Sequence, residues 1–131
     1  MRYLTYDILL GINKRLNEYE GKKQTNFKKE TIRSIVKEAY ETQPIEAAIT
    51  YYYRIVYEHL FRGANRRTAF IATDMFLRRH AKKLADIPIA DVQFTSQKIR
   101  DGRLSRETFS KIFSTWIVDL NERRKTYRRG T

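Results

Sequence analysis

Between two apolar stretches the chain reads His59-Leu60-Phe61-Arg62-Gly63-Ala64-Asn65-Arg66-Arg67-Thr68-Ala69, which sets an imidazole eight residues ahead of a guanidinium across a turn of small residues. That pattern suits phosphate chemistry. A helix starting near Ala64 aims unpaired backbone N–H groups and the positive end of its dipole at an anion. His59, with an ordinary pKa of about 6.5, can accept a proton near neutral pH. Gly63 is read as the residue whose backbone angles a side chain would penalise, and Ala64 as small enough for phosphates to approach the main chain. Asn65 offers an amide donor or a helix cap. Arg66 and Arg67 supply fixed charge, with Arg67 the catalytic guanidinium that forks onto phosphate oxygens, and Thr68 is grouped with the phosphate-binding residues. Phe61 is read as the anchor that fixes the loop to the core.

Phosphoryl or nucleotidyl transfer needs a cradle for the phosphates, a counter to the charge that builds in the transition state, and an acceptor for the attacking hydroxyl's proton. Magnesium in such sites is held by one or two carboxylates together with substrate phosphates, and this loop offers no carboxylate. Asp74 falls on the same helix face as Arg67 but about 10 Å further along the axis, and Glu58 points roughly 100° away from His59. Neither brings a carboxylate to the loop. Arg62, with Arg66, is read as supplying by side chain part of the charge that a metal would have brought.

The elements that must position this loop are helical. Thr5 caps a first helix in which Ile8, Ile12, Leu16 and Tyr19 recur at helical spacing, with Gly21 as the stop. Asn26 is the expected cap of a second, whose Ile32, Ile35, Val36, Ala39 and Tyr40 make a narrow stripe suited to a surface helix. Pro44 opens a third that runs to about His59, with Ile45, Ile49, Tyr52 and Val56 stepping towards that histidine. Tyr51-Tyr52-Tyr53 is read as core and rim rather than as a base-stacking platform. After the loop, Ala69, Phe70, Ile71, Ala72, Met75, Phe76 and Leu77 wrap apolar surface almost all round, as a central buried helix does. His80 follows as a dipole-satisfied surface residue. Asp86 and Pro88 start another helix, which stops at Asp101-Gly102, and Ser105 caps a last one carrying Phe109, Ile112, Phe113, Trp116, Ile117 and Leu120. No strand-like alternation competes. The expectation is an all-α fold, a single compact bundle of about six helices over residues 1–121, followed by a basic tail over 122–131.

A chain of 131 residues suits one domain, and without cysteine it has neither disulfides nor a thiolate metal site. Charge interrupts every apolar stretch, which argues against a membrane span, and there is no secretory apolar segment at the N-terminus, so a soluble, cytoplasmic protein is expected. The formal charge of +12 implies attraction to something acidic. Much of it is peripheral: residues 122–129 alone carry five cations and one anion, and Lys22-Lys23 and Lys28-Lys29 add four more cations. That tail is a candidate nucleic-acid contact.

The loop string also resembles the signature of the Fic/Doc superfamily, H-x-F-x-[D/E]-[G/A]-N-[G/K]-R. Asn65-Arg66-Arg67-Thr68-Ala69 is closer to the Doc (death-on-curing) branch, N-K-R-T-A, than to the Fic branch, N-G-R-x-x-R, whose second arginine is Phe70 here. A weaker similarity extends to Tyr3-Leu4-Thr5 opening a helix, Phe76-Leu77 closing the helix after the motif, and Trp116 in a final helix. The chain departs from the pattern at Gly63, where the family has its metal-binding acid, and at Leu60, where proline is common. Membership would imply a Doc-like toxin of a toxin–antitoxin system, with His59 as general base and ATP as phosphate donor to a hydroxyl on a translation factor such as elongation factor Tu. Magnesium would accompany the nucleotide, without a protein carboxylate to hold it, and an antitoxin would cover the cleft. Transfer of AMP is the alternative within the family. A catalytically degenerate member that binds nucleic acid or an acidic partner through its basic surface is the alternative outside enzymology. Ser34 and Glu38 only faintly resemble the inhibitory helix of Fic proteins, because Ala39 breaks that pattern.

Overall fold

The computed structural model describes residues 3–121, so the basic tail lies outside the described residues. Six helices form the body: α1 (Tyr6–Tyr19), α2 (Lys29–Ala39), α3 (Pro44–Glu58), α4 (Asn65–Arg78), α5 (Ile89–Arg100) and α6 (Arg106–Ser114). Two short strands, β1 (Lys82–Leu84) and β2 (Ile117–Asp119), pair antiparallel with Lys82 opposite Asp119 and Leu84 opposite Ile117.

The antiparallel pair α3 and α4 makes the centre. In α3, Ala47, Ala48, Tyr51, Tyr52 and Ile55 are fully buried, and in α4 so are Ala69, Ala72, Phe76 and Leu77. The small residues let the two helices approach while the aromatic ones fill the flanks. Each residue of the tyrosine run ties α3 to a different part of the chain. The Tyr51 hydroxyl accepts from the Leu4 N–H at 3.0 Å, Tyr52 shares a hydrogen bond with Ser96 of α5 at 2.7 Å, and Tyr53 donates to the Leu104 carbonyl at 2.7 Å. Burial pushes the Tyr51 and Tyr52 phenols up to about 12, so both stay neutral.

Three expected helices differ in detail. Thr5 does cap α1, accepting from the Ile8 N–H at 3.2 Å, but the buried row of α1 is Leu9, Asn13 and Asn17, and Tyr19 is 92% exposed. A polar pair thus occupies the inward face and the apolar stripe lies on the flanks. α2 starts after Lys28 rather than after Asn26, with no side-chain cap, because the backbone at Phe27 is held in a bridge to Phe61. Its stripe is more buried than a surface helix requires: Ile32, Ile35 and Ala39 are fully covered by α3.

The expected six-helix bundle is what forms, and the chain after α4 adds one small two-stranded sheet to it. Ala81 takes a left-handed turn with φ 63°, and β1 follows. α6 is capped by Ser105, as its sequence indicates, with the Thr108 N–H donating to the serine oxygen at 3.1 Å, yet it stops at Ser114. Trp116 therefore lies past the helix, buried in an aromatic cluster with Tyr52, Phe109 and Phe113. The β-branched pair Ile117-Val118 extends alongside β1, and that pairing outweighs the helical spacing of the apolar residues. The Leu120 N–H donates to the Ala81 carbonyl at 3.0 Å, bringing the end of the described chain to the carboxyl end of α4. His80 is packed there too, its ring 4.6 Å from that of Phe76, and is not a free surface residue.

Candidate active site

The loop from α3 to α4 begins and ends with a left-handed residue that is not glycine: His59 at φ 52° and Ala64 at φ 62°. Such angles cost a side-chain-bearing residue roughly 1–2 kcal/mol, so the surroundings must impose them. They do so from three sides. Leu60 and Phe61 are buried, with Phe61 pairing its backbone and ring with Phe27. The Asn65 amide closes the turn on itself, its oxygen accepting from the Phe61 N–H at 3.0 Å and its nitrogen donating to the Phe61 carbonyl at 2.8 Å. From α1, the Asn13 amide donates to the Gly63 carbonyl at 2.9 Å and to the Thr68 hydroxyl at 3.1 Å.

This geometry corrects the reading of Gly63. Its φ is not positive, and a Cβ placed on it would meet no atom within 4 Å. The unusual backbone belongs to Ala64, and a side chain, including an acid, fits at 63. The α4 amino terminus carries no side-chain cap, since Ala64 has only a methyl, which leaves the first-turn N–H groups directed outward.

The Gly63–Ala64 ridge separates two clefts. One, of about 470 Å³, is lined by His59, Asn65 and Arg66, by Gln93, Ser96, Gln97 and Arg100 of α5, and by Asp101 just after it. The other, of about 430 Å³, lies towards α1 and takes Arg62, Arg67, Lys22, Lys23 and Glu20. Both volumes lie within the range of small-molecule sites. His59 and Arg66 thus share a cleft, whereas Arg62 and Arg67 face the opposite side. Arg67 is paired with Glu20 at 2.5 Å, and that hydrogen bond holds the Glu20 carboxyl below the usual carboxylate range. Thr68 lines neither cleft. It is fully buried, with its hydroxyl on Asn13 and its N–H on the Ala64 carbonyl. Asn65 is 8% exposed and positions the loop as much as it lines it.

His59 sits between α4 and α5. Its Nδ1 faces the Asn65 amide nitrogen at 3.4 Å and receives the Arg100 Nε–H at 3.0 Å. Partial burial, with the nearby charges of Arg100 and Lys28, lowers its pKa from the usual value, so the ring is neutral near pH 7. The neighbouring acids are committed elsewhere. Glu58 pairs with Arg54 at 3.0 Å, Asp74 with Arg78 at 2.7 Å and the Leu84 N–H at 2.8 Å, and Asp101 accepts from Gln97 at 2.9 Å. Among the described residues no three acids, histidines or cysteines cluster as a metal site would need. The donors around the loop therefore do not fit a magnesium ion held by protein carboxylates.

Asn13, Glu20 and Arg100 escaped the sequence reading. The Leu9–Asn13–Asn17 row, spaced by four, was the available signal for Asn13. Arg100 lies 41 residues from His59 and is brought there only by the packing of α5 on α3.

A sequence model of the Fic/DOC family matches residues 3–77, more than half of the 131 residues. The chain belongs to the Fic/DOC family. The match takes in α1, α2, α3 and the loop from His59 to Ala64 and ends within α4, so the α5 wall of the cleft lies beyond it. No curated protein matches the chain. No helix among the described residues is long and apolar enough to cross a membrane.

Proposed function

We propose that this Fic/DOC chain is a Doc-like transferase, the toxin of a toxin–antitoxin pair, which moves the γ-phosphate of ATP onto a hydroxyl of a translation factor such as elongation factor Tu. One observation carries the reading: a neutral histidine borders a cleft that the uncapped amino end of α4 also enters, within the stretch that matches the family. The first-turn amides and Arg66 hold phosphate oxygens, and His59 takes the proton of the attacking hydroxyl. Among the described residues Arg66 and Arg100 hold no carboxylate in a salt bridge, which leaves two guanidinium groups in the His59 cleft for phosphate charge that a loop-bound metal would otherwise offset; Arg62, also without such a bridge, stands on the other side of the ridge. Arg66, where Fic proteins have glycine, favours phosphate over AMP as the transferred group.

An antitoxin segment over the cleft fits the absence of an internal cover among the described residues. Ser34 and Glu38 are engaged with Arg54, and Glu38 also with Arg106, on a different face. The test is incubation of wild type and His59→Ala in cytoplasmic lysate with ATP labelled at the α or the γ phosphate. Label on a protein from the γ position alone, lost in the variant, supports the kinase reading. Label from the α position means transfer of AMP. No label dependent on His59 from either position sinks the enzymatic reading and leaves a basic binding protein, recognised by a steep salt dependence of nucleic-acid binding.

A further inference from the structure

Two donors converge on one nitrogen of His59. The Arg100 Nε–H lies 3.0 Å from Nδ1, and the Asn65 amide nitrogen lies 3.4 Å from the same atom. The orientation of that amide is fixed independently, because its oxygen accepts from the Phe61 N–H while its nitrogen donates to the Phe61 carbonyl. A guanidinium cannot act as acceptor, so Nδ1 carries the lone pair and the ring proton resides on Nε2. The one nitrogen able to take up a proton is therefore covered by Arg100.

Arg100 is exposed at the last position of α5 and, among the described residues, holds no carboxylate in a salt bridge. Its neighbour Asp101 is turned to Gln97 instead. The other groups around the ring are Lys28, whose Nζ donates to the Glu58 carbonyl, Glu58, held by Arg54, and Arg66, which lines the cleft. None of them supplies Arg100 with an anion. A single bond to a neutral imidazole is weaker than a two-pronged, charge-assisted bond to a phosphate.

We propose that Arg100 is a positioning residue that gates the base: it holds His59 as the Nε2–H tautomer with its lone pair covered, and releases that lone pair when a phosphate draws the guanidinium into the cleft. The inference rests on the reading of the cleft as a nucleotide-phosphate site. In the transfer step the uncovered Nδ1 takes the proton of the target hydroxyl, whose oxygen forms the new bond to phosphorus as the bond to the departing ADP oxygen breaks. The proton is thus on a nitrogen made available only when phosphate is bound, which restrains the empty site from abstracting protons.

The test uses nitrogen-15-labelled histidine and long-range proton–nitrogen NMR on the full chain, with His59 distinguished from His80, the other histidine, by the spectrum of His59→Ala. Wild type should show an unprotonated, hydrogen-bonded Nδ1 and a protonated Nε2. Inorganic phosphate should shift the Nδ1 signal towards that of a free imidazole nitrogen. Arg100→Ala should show the released signal without phosphate and bind phosphate roughly tenfold more weakly, the scale of one lost charge-assisted contact. Arg100→Lys, which keeps the charge but not the fork, should restore binding more than the tautomer signal. A protonated Nδ1 in wild type overturns the inference, as does an Arg100→Ala spectrum and phosphate affinity equal to wild type. Labelled-ATP assays separate the two claims. Arg100-dependent shifts without label transfer support the gate and sink the transferase, whereas wild-type transfer by Arg100→Ala sinks the gate alone.

Discussion

Replacing Asn13 by leucine should loosen the His59–Ala64 loop from α1, on the side of the ridge away from His59. The Asn13 side chain donates to the Gly63 carbonyl at 2.9 Å and the Thr68 hydroxyl at 3.1 Å, and its oxygen accepts from Asn17 at 2.9 Å and Gln24 at 3.0 Å. These four bonds are not equivalent. Asn17 and Gln24 each keep a second acceptor, the carbonyls of Asn13 and Leu10, when the side chain is removed. Gly63 and Thr68 lose the donor that α1 provides, and Thr68 is fully buried. An orphaned buried polar group costs about 1–3 kcal/mol, so two of them, one partly rehydrated, come to about 3 kcal/mol. With a urea slope of about 1–3 kcal/mol per molar, the unfolding midpoint falls by on the order of 1–3 M. Gln24→Ala should cost about 1 kcal/mol or less, because Asn13 still accepts from Asn17. Urea titration followed by circular dichroism measures both, and amide exchange at Phe61 reports the loop itself. A leucine variant as stable as wild type, or a larger loss from Gln24→Ala, would refute the assignment of Asn13 as the loop's anchor.

Gly63→Asp should fold with stability within about 0.5 kcal/mol of wild type, since the position has room and an ordinary φ. It should also make nucleotide binding magnesium-dependent by calorimetry, and a large loss of stability would show that glycine is required there. Ser105→Ala removes the cap on Thr108 and should cost about 1 kcal/mol in thermal or urea unfolding. The lowered pKa of His59 means that the unfolded chain binds its proton more readily than the folded chain does. Stability should therefore rise with pH between the folded value and the unfolded value of about 6.5, then level off. His59→Gln should remove that part of the slope, and an unchanged slope would contradict the assignment.

Fold and loop were legible to different degrees, for physical reasons. The helices announced themselves through local signals: Thr5 and Ser105 as caps, Pro44 in a first turn, and spacings of three and four. The loop's string marked His59, Asn65 and the arginines, and Phe61 is buried as an anchor should be. What failed depended on distant partners. Trp116, Ile117 and Leu120 have helical spacing, yet β1, more than thirty residues earlier, draws Ile117–Asp119 into a strand. Arg67 belongs with His59 by spacing, but consecutive helical residues differ by about 100°, and that rotation sends Arg66 and Arg67 to opposite sides of the ridge. Glycine at 63 suggested strained backbone, whereas alanine at 64 bears it, held there by contacts from α1 and Phe27 that no local pattern announces.

The bond from Leu120 to Ala81 gives the molecule two poles. α4 has 14 residues, so its ends lie about 20 Å apart, more than twice the screening distance of roughly 8 Å in physiological salt. The turn between α3 and α4 stands at one pole, and the last described residues, Leu120 and Asn121, stand at the other. A fluorophore or affinity handle joined at position 121 would therefore be anchored at the far end of α4 from the His59 turn, and its attachment point would leave the potential at that turn undisturbed.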